Sequence, residues 1–232
     1  MAIDAKKMLD QFLNSGMATG VVAGMLGGAL AKRAGLGGIA KIGGVAIVGT
    51  LAYQAWQRYQ QQQSQLPPEQ RSHGGMRDTL GGVLGNIPGI GDFMKSAESN
   101  PAAASAGFGS NALPAPAQNA LGTAVLTAMI AAAKADGQVD KAESQKIFGQ
   151  MEQAGLSGEE KAFLLGELAK PLNVEDVAKH ATTPEVAAQL YTASAIVIDQ
   201  ANDQERNYLA MLAQRLNVPQ GFVEQLNQQM AR

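Results

Sequence analysis

Helix starts are written into the C-terminal half of this chain more plainly than any other structural signal. Asp140-x-x-Glu143, Ser157-x-x-Glu160 and Asn202-x-x-Glu205 each fit a capping box, in which the first side chain accepts the N3 backbone N–H and the glutamate reaches back. Thr183-Pro184 supplies an N-cap followed by proline at N1, and Pro219 opens a further segment. With apolar residues at helical spacing from Leu121 onward, these signals predict helices at 119–134, 141–154, 158–169, 174–180, 184–199, 203–215 and 219–230. No strand signal is of comparable strength, so the predicted fold class is all-α, a bundle of about seven helices.

The stripe Leu121, Val125, Leu126, Met129, Ile130 and Ala133 of the first helix is answered by Val186, Leu190, Ala193, Val197 and Ile198 of the fifth. Each stripe runs straight into an acidic turn followed by a capped helix. The first turn reads Lys134-Ala-Asp136-Gly137-Gln-Val139-Asp140-Lys-Ala-Glu143, and the second Ile198-Asp199-Gln-Ala-Asn202-Asp203-Gln-Glu205. The same order occurring twice predicts two related helical halves on one core. A fold that brings the turns together makes Asp136, Asp140, Glu143, Asp199, Asp203 and Glu205 one compact anionic site. They are the candidate set for a divalent cation (calcium, magnesium or zinc) or for a basic protein partner.

A local reading competes for four of these positions. Asp140 with Glu143, and Asn202 with Glu205, also satisfy backbone amides and the helix dipole, worth about 1–2 kcal/mol per helix. Asp136 and Asp199 lie at the end of the preceding helix, where the dipole disfavours negative charge, and are the stronger binding candidates. Residues 136–143 match the latter half of an EF-hand loop, but Ala132 and Lys134 stand where ligating side chains are needed. A cation would therefore draw ligands from both turns. Lys134, Lys141 and Arg206 are placed to neutralise the carboxylates internally. His180 is read as a helix C-cap, His73 is given no role, and Tyr191 and Tyr208 are read as core-edge aromatics.

The N-terminal region has a different composition. Ile3, Met8, Leu9, Phe12 and Leu13 share one face of a short amphipathic helix. About 21 uncharged residues follow from Gln11 to Ala31, long enough to cross a bilayer. A second weakly polar run from Ile42 to Gln57 is closed by Tyr53, Trp56 and Tyr59 as interfacial aromatics. Gly16, Gly20, Gly24 and Gly28 fall four apart, which lets helices in lipid approach closely, whereas each glycine costs a soluble helix about 1 kcal/mol. Residues 1–57 are thus expected to form an amphipathic helix and a glycine-rich membrane hairpin, set against a loosely packed glycine-rich tail. Residues 58–118 hold too few large apolar side chains to offset ordering entropy and are expected to be a flexible, disordered linker, with a short helix near 76–84. Within it, Leu84-Gly-Asn-Ile87-Pro-Gly-Ile90-Gly-Asp-Phe93-Met94 is a candidate partner-binding segment, set against a turn-rich stretch with chance apolar residues. Residues 119–232 make the helical domain.

A net charge of −2 over 232 residues, with scattered lysines and arginines, gives no reason to expect nucleic acid. The absence of cysteine removes disulfides, thiolate metal sites and cysteine nucleophiles. Gly35-Leu-Gly37-Gly-Ile-Ala40 imitates a dinucleotide fingerprint but has no acidic residue about 20 positions on. No nucleophile, activating histidine or phosphate-cradling loop accompanies the carboxylates, so the chain is expected not to be an enzyme, and a carboxylate-metal hydrolase is the less favoured reading.

The stretch from Ala131 to Glu143, with that from Ile198 to Leu209, resembles the TerB-like superfamily. Together with the glycine-rich apolar N-terminus it resembles more closely the YebE-like proteins, a bacterial inner-membrane family of unknown function. The likeness covers residues 119–231. It implies an all-helical domain with paired acidic turns, as found among tellurite-resistance and stress-associated proteins, at the inner membrane with the C-terminal domain expected in the cytoplasm. Where the TerB pattern favours Asp-Gly in both turns, the second copy has Asp199-Gln200. The resulting expectation is a membrane-anchored, non-enzymatic binding or scaffold module in an envelope or tellurite-type stress response. The alternative is a glycine-zipper membrane homo-oligomer, pore or scaffold, regulated by the C-terminal domain.

Overall fold

The computed structural model describes Ala5, Met8 and residues 44–65, 115–135, 157–198 and 202–231. From Gly44 onward the described residues form seven helices: α1 (Gly44–Gln65), α2 (Ala115–Ala133), α3 (Gly158–Ala169), α4 (Val174–Ala178), α5 (Pro184–Val197), α6 (Asp203–Arg215) and α7 (Gln220–Met230). The described chain is an all-α bundle with no strand. The expected helix at 141–154, the apolar run at 11–31 with its spaced glycines, and residues 66–114 of the expected linker lie outside the described residues.

Local chemistry sets the ends. Ser157 accepts the Glu160 N–H while Glu160 accepts the Ser157 N–H at 2.8 Å, so α3 begins with a complete capping box. Thr183 accepts the Val186 N–H ahead of Pro184 and opens α5. Helix α2 begins at Ala115, earlier than the spacing predicts, because Pro116 fits a first turn whose N–H groups have no intrahelical partner. Helix α6 stops on Asn217 at φ 52°, with the Val218 N–H bonded to the Ala213 carbonyl and the Asn217 N–H to that of Gln214. This paired closure is a Schellman motif, and asparagine tolerates its left-handed residue better than most side chains.

The core is built around α5, in which every residue from Ala187 to Val197 is buried. A helix covered on all sides needs small residues where neighbours approach, and Ala187, Ala188, Ala193, Ser194 and Ala195 supply them. Helix α2 packs on α5 through the expected stripe, with Leu121, Val125, Leu126, Met129 and Ile130 all buried. Two hydroxyls inside the α2–α5 core are satisfied by backbone carbonyls. The Thr192 hydroxyl donates to the Ala188 carbonyl at 2.7 Å, and Ser194 donates across to the Ala128 carbonyl at 3.2 Å.

Helix α1 departs from its expected role. Trp56 and Tyr59, expected at a membrane interface, are buried instead in the bundle core. Trp56 meets Phe222 of α7 with ring centroids 5.7 Å apart, and Phe222 in turn meets Tyr191 of α5 edge-on at 6.5 Å. Two amide contacts flank the rings: Gln225 Nε2 donates to Gln62 Oε1 at 3.1 Å and Gln229 Nε2 to Gln54 Oε1 at 2.8 Å. Position 57 lies inside this helix, which runs on to Gln65. The physical reason is complementarity: the face carrying Val48, Leu51, Ala52, Ala55 and Trp56 is equally suited to lipid or to protein, and α5 and α7 offer it an aromatic partner.

Tyr191 and Tyr208, expected at the core edge, are fully enclosed, and burial pushes each phenol up to about 12. A raised acid favours folding below its ordinary value near 10 and loses that contribution as pH climbs towards 12, up to about 2–3 kcal/mol per group. Alkaline titration followed by phenolate absorbance and circular dichroism is expected to show unfolding between pH 10 and 12. Tyr208→Phe is expected to move that midpoint upward, and an unmoved midpoint contradicts the assignment.

Candidate functional site

The second acidic turn is described on its α6 side. Asn202 Oδ1 accepts the Glu205 N–H at 2.9 Å, and Glu205 Oε2 accepts the Asn202 N–H at 2.8 Å. Glu205 is thereby held against the helix start by its own backbone. Asp203 is different: its side chain is 91% exposed and its carboxylate pairs with Arg206 one turn along. Of the three basic residues expected to neutralise the acidic turns, Arg206 does so; Lys141 lies outside the described residues.

Lys134, the third, makes its described contacts at α3. Its ammonium group donates to the Glu167 carbonyl at 3.1 Å and to the Lys170 carbonyl, so it closes the C-terminal end of α3. Those are carbonyls without intrahelical partners at the negative end of the helix dipole, where a cation is favoured. Partial burial lowers the Lys134 pKa, opposed by the nearby Glu167 carboxylate. Lys134→Met keeps the stem and removes the charge, and is expected to cost about 1 kcal/mol in a urea melt. A neutral result would mean that water serves those carbonyls equally well.

Around α4 the charges are paired on the surface. Lys179 donates to Asp176 at 2.8 Å, which holds the Asp176 carboxyl below its ordinary value. Arg215, at the end of α6, reaches Glu175 at 2.8 Å and ties α6 to α4. His180 stands in the turn after α4, its pKa lowered by burial first and by Lys179 next. Its backbone N–H bonds to the Val177 carbonyl at 3.1 Å.

Asp136, Asp140, Glu143 and Asp199 lie outside the described residues, so the set is placed only at Asp203 and Glu205. Among the described residues, no three of the histidine, aspartate and glutamate side chains converge as metal ligands. Sequence reasoning missed one concavity. A cleft of about 260 Å³ opens beside Trp56, between the α4–α5 turn and the α6–α7 turn, and is lined by Ala181, Pro184, Ala187, Leu216 and Val218 among others. Its sequence signal is the helix stop at Asn217-Val218-Pro219, which forces a sharp corner next to α5.

Comparison with known proteins adds a family and one relative. The family described as "Protein of unknown function (DUF533)" matches residues 12–230. An uncharacterized protein encoded in the ampR 5' region of Yersinia enterocolitica is 31% identical over 104 residues, spanning 45% of this chain and 75% of its own. No solved structure matches.

Proposed function

The chain belongs to the DUF533 family of proteins of unknown function, and from its geometry we propose that it is a non-enzymatic helical binding module presenting acidic turns to a divalent cation or a basic protein surface. Asp203 is the observation that carries this reading. It holds a carboxylate in solvent at the head of a helix whose start is fixed by a capping box, and among the described residues it is paired with Arg206. An incoming cation competes with a surface ion pair, an interaction worth about 1 kcal/mol or less. Within the family we place the chain with the TerB-like and YebE-like proteins that its acidic turns resemble, in an envelope or tellurite-type stress response at the bacterial inner membrane.

No described helix is long and apolar enough to cross a membrane. Since α1 commits its apolar residues to the bundle, we assign the anchor to the uncharged run at 11–31 alone. The expected result is that Val22→Asp with Leu26→Asp releases the chain from the membrane fraction, each charge costing about 3 kcal/mol at a bilayer centre. Retention in that fraction removes the anchor from the proposal.

The cation half is tested by amide shifts of the intact chain titrated with calcium, magnesium or zinc. Half-saturation at about millimolar concentration, as in weak carboxylate sites, is expected around Asp136, Asp199 and Asp203 and is reduced in Asp203→Asn. Silence at all three positions eliminates the metal version. A basic peptide titrated in low and in physiological salt then tests the partner version, whose shifts weaken as salt screens the carboxylates.

A further inference from the structure

Helix α1 lies against α5 and α7, and the groove between those two helices is aromatic. The α1 stripe Val48, Leu51, Ala52, Ala55, Trp56 and Tyr59 is buried, with the Trp56 ring 5.7 Å from that of Phe222, which in turn meets Tyr191 at 6.5 Å. We propose that this seat is also the interface between two copies of the chain, in which α1 of each copy fills the α5–α7 groove of the other. Withdrawing α1 turns apolar rings on both surfaces towards water, so a vacated groove and a released helix each need a partner.

The seat selects its occupant by shape. A Cβ at Gly221 would lie 2.9 Å from Cδ2 and Cε2 of Tyr59, so the bare backbone at that point is what admits the ring in this register. A second copy carries the same helix with the same ring in the same place, and reciprocal exchange restores every α1 contact made within one chain. The cleft beside Trp56 then becomes composite. Pro184, Leu216 and Val218 of one copy face the partner's Trp56 across it.

The seam does not distinguish a chain's own helix from its partner's. Arg58 and Glu224 are the sole charged residues in the sequences of α1 and α7, and amide pairs join the two helices, Gln225 to Gln62 at 3.1 Å and Gln229 to Gln54 at 2.8 Å. Charges along a helix seam set which helix pairs with which, whereas neutral amides accept either. Gln229 Oε1 is buried with no hydrogen-bond partner among the described residues, so hydration of the opened seam offsets part of the cost of release. Covalent reach is ample. Residues 66–114, between α1 and α2, span at most about 160 Å, and residues 9–43, between Met8 and α1, about 115 Å, against about 35 Å across a bundle of this size. The chain's own helix keeps only the advantage of an effective concentration no higher than about millimolar. Comparable chain density is therefore expected to populate the exchanged dimer.

The intact chain has no cysteine, so introduced thiols report on the seat alone. Gln54→Cys and Gln229→Cys replace two amides that meet in an exposed contact and leave the core untouched. Chains carrying one thiol each, unfolded together and refolded at about millimolar concentration, are expected to be joined by a short bismaleimide between positions 54 and 229 of different copies. Asn207→Cys, on the exposed side of α6, replaces Gln229→Cys as the collision control and is expected to give about tenfold less adduct. Complementation supplies an independent measure. Gly221→Val and Tyr59→Ala chains, each impaired alone, are expected to pair when refolded together, because the groove bearing valine then receives the helix that lacks the Tyr59 ring and the unaltered groove receives the intact helix. Adducts no more abundant than in the collision control overturn the exchange. So does a co-refolded mixture of the complementary variants that remains monomeric and melts as the two do separately.

Discussion

Phe222→Ala is expected to destabilise the protein by about 3–5 kcal/mol, the cost of emptying a fully buried aromatic site. The ring is the meeting point of three helices, touching Trp56 of α1 and Tyr191 of α5 from its place on α7. Its removal leaves a void that neither neighbour can fill without abandoning the other. For a chain of this size the loss corresponds to a melting midpoint lower by roughly 6–20 °C. A double-mutant cycle with Trp56→Ala isolates the helix contact, and a coupling of about 0.5–1.5 kcal/mol is expected. Additive losses would mean that α1 is not seated on α7 in solution, which would return its apolar face to the membrane reading.

Gly221→Val sets local and tertiary effects against each other. By helix propensity alone, replacing a glycine inside α7 gains a few tenths of a kcal/mol. In the folded chain a Cβ at position 221 would lie 2.9 Å from both Cδ2 and Cε2 of Tyr59, closer than carbon atoms pack. The Tyr59 ring is buried and cannot swing away freely, so the strain falls on the docking of α1. Overpacking of this kind costs about 3 kcal/mol, and Trp56 emission is expected to shift to the red as α1 lifts. Tyr59→Ala in the same chain is expected to recover part of the loss by opening the space that the valine needs. A variant as stable as the unaltered protein would show that only propensity acts at this position.

These two substitutions fall where sequence reading and structure part company. The starts of α3, α5 and α6 were legible because a cap is a contract between residues three apart: Ser157 with Glu160, Thr183 with Val186, Asn202 with Glu205. The stripes of α2 and α5 were legible because apolar spacing on a helix needs no partner to be read. The bonds of Lys134 to carbonyls at positions 167 and 170 are announced by nothing near it in sequence. Arg206 was read correctly because its carboxylate is three residues away.

The candidate site divides on the same principle. The capping role of Glu205 and the exposure of Asp203 follow from positions within one helical turn. Whether six carboxylates act as one site depends on the relation between two turns far apart in the chain, and spacing within either turn carries no information about that relation.

By itself the sequence determined that the described segments of the C-terminal domain are helical, where its capped helices begin, and which stripes of α2 and α5 enter the core. These are properties of neighbours within about one turn, where covalent geometry limits the choices. The tertiary structure alone decided that α1 belongs to the bundle, that Lys134 closes α3, and that a cleft opens beside Trp56. An apolar face carries no label for lipid or protein, and an ammonium group none for carboxylate or carbonyl. The choice is made only when a complementary surface arrives from elsewhere in the chain.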